Sequence, residues 1–432
     1  MFEKEIANLA TAIREAVTKY REVGPIPTRR YVRVRRRDLT LNYRENFGFG
    51  MFAPSRIEED IWDSLDQQRF QDSVVKGLEG YKSLEDSLGP NVGPVEIFAR
   101  TISFASFRGL DDEELMGRVS AFGRELGARP LPVKVTAFID GLSIRESPLV
   151  ISEGFTLRQP TEEDVAEYVL VDDEYGSISF PLREASFRVV GEFVVDAVDT
   201  GFAQRELLRT VEALRLFRVG GIATSRYQMR SMHNFLTGAV QTIGEPSRHS
   251  RFTYTLSCSD AAALSRFLGD VAPLLPSNFD KAATEREIAY TRYRDALFQD
   301  GPSERAITSA ITALEALFLT GQSELTHRLA QRVSVFLRIL GTQDDALSTY
   351  DNVSKGYKIR STFIHGGSLT PKHQPQADSL APVLLEYARV CVLAFFQIPT
   401  PKDELLKQLD RAMIDPAGVN ELVASLAPVA HR

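Results

Sequence analysis

The sequence predicts a multi-domain chain in which an α+β region is followed by an all-α helical bundle. Three observations carry this expectation. The chain has 432 residues and 43% apolar content, more than one core accommodates, so two or three domains are expected. From about Pro25 to Leu275, short alternating runs lie between glycine, proline and acidic turns, a mixture of strand and helix signals. After Pro276 the apolar spacing is helical alone. The stretch Leu274-Leu-Pro-Ser-Asn-Phe-Asp280 reads as a linker between a region 1–275, of one large domain or two small ones, and a region 280–432.

Taken in order, Met1 to Tyr20 carries charges of both signs and no signal-peptide core. Arg29, Arg30, Arg33, Arg35, Arg36 and Arg37 then crowd together, and Tyr31-Val-Arg-Val-Arg35 alternates as a strand does. Arg33, Arg35 and Arg37 are therefore candidate RNA-facing residues, the alternative being an edge strand protected by charge. Val133 to Ile139, Ser177 to Phe180 and Phe187 to Val195 read as strands, and Asp111 to Leu126 and Gln204 to Phe217 as helices. Downstream, Ile288 to Phe298, Ser303 to Thr320, Ser323 to Leu340, Asp344 to His365, Gln376 to Phe396 and Lys402 to Ile414 all carry helical spacing.

Composition narrows the chemistry. A formal charge of -7 argues against indiscriminate coating of nucleic acid, which needs clustered lysine and arginine. Cys258 and Cys391 lack the neighbours of a metal or redox motif and are expected to be buried thiols. The six histidines have no metal-pair spacing, so a zinc hydrolase and its metal site are not expected. No glycine-rich phosphate loop ends in Lys-Ser/Thr, which removes the common NTPase class. No apolar run is read as approaching the roughly 20 residues that span a bilayer, so a cytoplasmic protein without membrane contact is expected.

The most informative stretch is Arg360-Ser-Thr-Phe-Ile-His365-Gly-Gly367. Arginine offers a permanent charge in a planar fork suited to phosphate, and histidine is the side chain that ordinarily exchanges protons near neutral pH. Arg226 and His233 share the loose spacing without this context. Gly366 and Gly367 stop the helix and leave His365 in its last turn. Arg360 and His365 then lie about 140° apart around an ideal helix, on either side of an apolar face formed by Ala346, Tyr350, Val353, Tyr357 and Ile364. One helix does not bring them together, and two-fold pairing of two chains would set two Arg-His pairs across one cleft.

In the segment from Ser303, Glu315 lies beside the stripe Ile307, Ile311, Leu314 and Phe318. A carboxylate so placed needs a partner, and Arg332, with Arg328 one turn earlier, is the one the next segment offers. A structural Glu315–Arg332 ion pair is expected.

Three blocks, Ile311-Thr-Ala-Leu-Glu-Ala-Leu-Phe-Leu319, Glu324-Leu-Thr-His-Arg-Leu-Ala-Gln-Arg332 and Tyr357-Lys-Ile-Arg-Ser-Thr-Phe-Ile-His-Gly366, closely resemble the HEPN superfamily, in particular the Apea-like HEPN domains. Glu404 to Arg411 resembles the short helix that ends such domains. The resemblance covers about the last third of the chain. It implies a HEPN-like helical bundle that forms a homodimer and, in many members, a metal-independent endoribonuclease needing no cofactor. Carried over, the catalytic pair is Arg360 and His365, and Ser361 stands at the polar position after the arginine, where many members have Asn, Asp or His. The resemblance implies Glu315, Arg328, Arg332 and Tyr357 as supporting residues. The resemblance also implies an RNA substrate such as tRNA or mRNA, and a toxin or abortive-infection setting with a phage-derived trigger or regulatory partner. The competing class is a non-catalytic HEPN-type dimer that binds nucleotide or RNA as a sensor or antitoxin-like partner.

Overall fold

The computed structural model describes residues 2–23, 28–35, 40–48, 102, 106, 110–127, 131–161, 164, 188–197, 200–231, 239–242, 250–276, 283–299, 301–320, 325–342, 344–367 and 374–429. Its helices are α1 (Phe2–Val23), α2 (Asp112–Gly127), α3 (Thr200–Phe217), α4 (Cys258–Val271), α5 (Glu285–Leu297), α6 (Ser303–Phe318), α7 (Leu325–Leu340), α8 (Ala346–Ile364), α9 (Gln374–Gln397), α10 (Lys402–Ala412) and α11 (Pro416–Leu426). The strands are β1 (Thr28–Arg35), β2 (Thr40–Gly48), β3 (Leu131–Asp140), β4 (Leu142–Ile144), β5 (Leu149–Ser152), β6 (Phe155–Arg158), β7 (Val189–Ala197), β8 (Ala223–Ser231), β9 (Ala239–Thr242) and β10 (Tyr254–Leu256). One sheet runs in the order β5-β6-β7-β3-β8-β9, and β1-β2 and β10-β4 form separate pairs.

The mixed region followed by helices alone is therefore present among the described residues. The compact units, however, do not divide at 275 and 280. One comprises Met1–Phe138, Ser152–Leu207 and Ser225–Gly244, the other Ile139–Ile151, Leu208–Thr224 and Glu245–Arg432. The contacts of residues 208–224 explain their place in the second unit. Arg215 is fully buried and donates to the Ile222 carbonyl at 2.6 Å and to Glu212 at 2.6 Å. Tyr293 of α5 donates to the Arg215 carbonyl at 2.8 Å, and Arg389 of α9 to the Leu216 carbonyl at 2.6 Å. A buried guanidinium keeps its charge, so its burial is tolerated only with such partners.

In the first unit, α1 buries Ile6, Leu9, Ala10, Ile13 and Val17, a helical stripe, and Arg14 pairs with Asp112 of α2. β6 and β7 pair antiparallel, with Phe155 stacked on Phe193 at 4.2 Å. On the same strands Arg158 pairs with Glu192 at 3.1 Å, and Lys134 of β3 with Glu192 at 3.2 Å. Arg158 also holds the buried Asp164, whose carboxyl is kept below the usual carboxylate range by the Arg158 and Thr161 hydrogen bonds, against the upward pull of burial.

β1 confirms the strand read around Arg33 and Arg35, but its pairing with β2 slips by one residue between Val32 and Val34. The extra residue lies on β2, where Asn42 and Tyr43 stand against Arg33 alone. Arg37 and the strand read at Ser177 to Phe180 lie outside the described residues.

The helices of the second unit form around α6 and α9. Phe318 meets Phe336 at 5.2 Å and Phe395 at 5.3 Å, joining α6, α7 and α9 through one aromatic cluster. α9 corrects the reading that no segment could span a bilayer, since its 24 residues are long and apolar enough to do so. Most of it is buried against its neighbours, as expected of a core helix. Cys258 is likewise a correction, because it is exposed at the start of α4 while Cys391 is buried.

α8 approaches α6 and α9 closely at Gly356. A Cβ there would lie 2.5 Å from Leu384 Cδ1 and 2.9 Å from Ile311 Cδ1. Gly356→Val should therefore force α8 away from both helices and lower stability by about 1–3 kcal/mol, read as a fall in denaturation midpoint. Gly356→Ala should cost less than valine.

Candidate functional site

α6 and α8 supply the site. On α6, Thr308, Thr312 and Glu315 follow one another at helical spacing along one edge of the buried stripe. On α8, Asp345 caps the start by accepting from the Leu347 and Ser348 amides, each at 2.9 Å. Gly356 meets Ile311, and one turn further along both helices come Arg360 and Glu315.

Arg360 Nη2 lies 2.8 Å from Glu315 Oε2, with side chains only 22% and 14% exposed. Its Nε also reaches Thr312 Oγ1 at 3.4 Å, and its guanidinium stands 5.6 Å from the centre of the Tyr357 ring. Burial pushes the Glu315 carboxyl above the usual carboxylate range, and the Arg360 charge only partly offsets this. Burial and the Glu315 charge both raise the Tyr357 hydroxyl, against the opposing Arg360 charge.

The partner of Glu315 is thus Arg360, and the expected Glu315–Arg332 pair is not formed. Arg332 instead donates to both carboxylate oxygens of Asp410, at 2.8 and 2.7 Å, and to the Phe318 carbonyl at 2.6 Å. Lys402 donates to the Ala316 and Leu319 carbonyls at 2.7 and 2.8 Å. The last carbonyls of a helix lack internal partners, and here two cations from α7 and α10 satisfy those of α6. Arg332 therefore acts on the end of the helix that carries Glu315, whereas Arg328 is exposed and forms no ion pair among the described residues.

His365 is the C-cap of α8, exposed, with its amide on the Ser361 carbonyl at 3.2 Å. The Gly366 amide bonds the Phe363 carbonyl at 3.1 Å and the Gly367 amide the Thr362 carbonyl at 2.9 Å, the paired bonds of a Schellman ending. Gly366 has φ +80, and a Cβ on Gly367 would lie 2.7 Å from Thr362 Cγ2. Each glycine of the pair thus has its own reason: a left-handed backbone and a close approach.

Arg360 faces inward to Glu315 while His365 is exposed, and no hydrogen bond joins the two among the described residues. Ser361 is half-buried between them in sequence, and Ile364 is 54% exposed. The exposed stripe of α8 runs Asp351, Lys355, Lys358, Thr362, His365, so two lysines share the histidine's face. Sequence reasoning missed Thr312, which its position three residues before Glu315 could have flagged. It also missed Lys402 and Asp410, which no local pattern marks, and His327, whose Nδ1 lies 2.9 Å from the Tyr350 hydroxyl. The side chains of Arg33 and Arg35 lie outside the description.

No protein-family model, curated protein or solved structure matches the chain.

Two outcomes are expected. Arg332→Ala strips a carbonyl and a carboxylate of their donor and should lower stability by about 2 kcal/mol, measured by denaturant melts. Only between the ordinary glutamate range and the raised value does the folded state hold a Glu315 proton that the unfolded state has released. Its contribution to stability is present below the ordinary glutamate range and is lost as pH rises through the raised value. The wild-type melting temperature should therefore fall relative to Glu315→Gln as pH climbs through that window; a difference constant with pH would refute the assignment.

Proposed function

We propose that the chain is a metal-independent endoribonuclease with a HEPN-like bundle, acting in the cytoplasm as a toxin or abortive-infection effector against phage. The observation that carries the reading is the end of α8, where an exposed histidine at a glycine-built helix stop follows, five residues on, an arginine set against the adjoining helix. The residue blocks that resemble the family supply the reaction class.

In this scheme His365 takes the proton of the substrate's 2′-hydroxyl, and the 2′-oxygen forms a bond to the adjacent phosphorus. The bond from phosphorus to the 5′-oxygen breaks, and that oxygen is protonated by water or by the second histidine of a homodimer. Arg360 stabilises the charge gathering on the non-bridging oxygens. The products are a 2′,3′-cyclic phosphate and a 5′-hydroxyl. Lys355 and Lys358, exposed on the face that carries His365 and unpaired among the described residues, support approach of a polyanion from that side. The exposed Ile364 beside His365 supports coverage by a second copy. The N-terminal region is assigned to target choice or to sensing a trigger, and single-stranded tRNA or mRNA segments are the substrates that expose a 2′-hydroxyl and bases together.

The engagement of Arg360 by Glu315 rather than by His365 favours one second reading, a dimer that binds RNA or nucleotide without cutting it. Incubation of total RNA with purified protein in excess chelator separates the two. The nuclease reading expects cyclic-phosphate ends from wild type, with Arg360→Ala and His365→Ala reduced at least about a hundredfold, the scale of general acid-base catalysis. Binding without cleavage, in the presence and absence of phage lysate, would establish the second reading instead.

A further inference from the structure

We infer that Glu315 is an internal competitor for Arg360, holding the guanidinium away from a nucleic-acid phosphodiester until a phosphate displaces it. The inference rests on the reading of Arg360 as the phosphate-binding group and adds a control on its availability.

The geometry has three parts. First, the pair is single-pronged: Nη2 meets Glu315 at 2.8 Å, Nε reaches Thr312 only at 3.4 Å, and Nη1 has no hydrogen-bond partner among the described residues. A guanidinium has five donors and binds phosphate best through two at once, so Glu315 occupies the group without saturating it. Secondly, Glu315 is poorly solvated at 14% exposure, and a negative charge in that position opposes a second negative charge brought to the same guanidinium. Thirdly, the Tyr357 ring is set 5.6 Å from the guanidinium carbon and on the same helix, a face on which an arginine can stay stacked while its donors change partner.

The carboxylate is held in place from outside the site. Glu315's own carbonyl accepts the Leu319 amide at 3.0 Å, and Lys402 and Arg332 bind the neighbouring carbonyls of Ala316, Leu319 and Phe318. Arg360 and Tyr357 are the charged or titratable side chains that reach the carboxylate itself from α8. With the carboxylate anchored on a capped helix and the guanidinium on a long flexible stem, the arginine is the member that moves.

The test is a double-mutant cycle on the full chain. The probe is a single-stranded oligonucleotide with 2′-deoxy sugars, which presents phosphodiesters but no nucleophile, and binding is followed by fluorescence anisotropy across a salt series. Glu315→Gln should bind the probe about fivefold to tenfold more tightly than wild type. Its log-log salt dependence should steepen by about 0.7, the value for one additional phosphate contact on a single strand. In an Arg360→Gln background the same substitution should have no effect. Should Glu315→Gln fail to fold by thermal melt, Glu315→Asp, whose shorter carboxylate retracts from Arg360, should give the same sign. Unchanged or weaker binding by the folded variant, an equal gain without Arg360, or no binding by any variant would overturn the inference. Cleavage in chelator is scored separately, so a protein that never cuts RNA yet shows the cycle retains the competitor and loses the nuclease, and the converse result does the opposite.

Discussion

The close passage of α8 over α6 at Gly356 is the constraint on which the site depends. A side chain there would collide with Ile311 and Leu384. Its absence brings the two backbones near enough that, one turn later, a glutamate and an arginine meet at 2.8 Å with little exposure to water. Distance matters steeply because an ion pair loses its advantage quickly as water enters between the charges. Apolar packing therefore sets an electrostatic contact, and that contact sets which way the guanidinium points.

The remaining parts of the second unit keep those two helices fixed. The Phe318, Phe336 and Phe395 cluster pins the far end of α6 to α7 and α9. Lys402 and Arg332 then complete the carbonyls that this end leaves open. α8 itself stops on two glycines that turn the chain immediately after His365. The result is an arginine governed by tertiary packing and a histidine governed by local backbone geometry, two different physical origins for residues five apart in sequence.

This difference explains what could be read in advance. The Schellman ending at Gly366 and Gly367 is a local device, and its glycines announce it. The helices after Pro276 were legible because an apolar stripe repeats with the helix itself, and their observed ends differ from the expected ones by the usual fraying. Periodicity says which face of a helix is buried and not which helix covers it, so Glu315 was placed correctly at a packing edge and given the wrong partner. Arg332 looked suited to it on spacing but is drawn to the Phe318 carbonyl and to Asp410, 78 positions away. Three helices were not read at all, although Ser257 with Asp260 at the start of α4, and Asp415 with Pro416 at the start of α11, are ordinary start signals. The interleaved make-up of the two units depends on contacts between distant segments, which no window along the chain contains.

The caps on α6 also impose an order in time. Glu315 and Arg360 leave the ribosome well before Lys402 and Asp410, the residues that finish and brace the end of α6. Between Arg360 and Asp410 a ribosome adding roughly 5–20 residues per second spends several seconds. During that interval the helix bearing Glu315 has an open end, and the nascent chain holds its arginine and histidine on an unfinished frame. Late bracing means that the pairing of Glu315 with Arg360 comes to rest on a finished helix end only after residues 402–410 have been made.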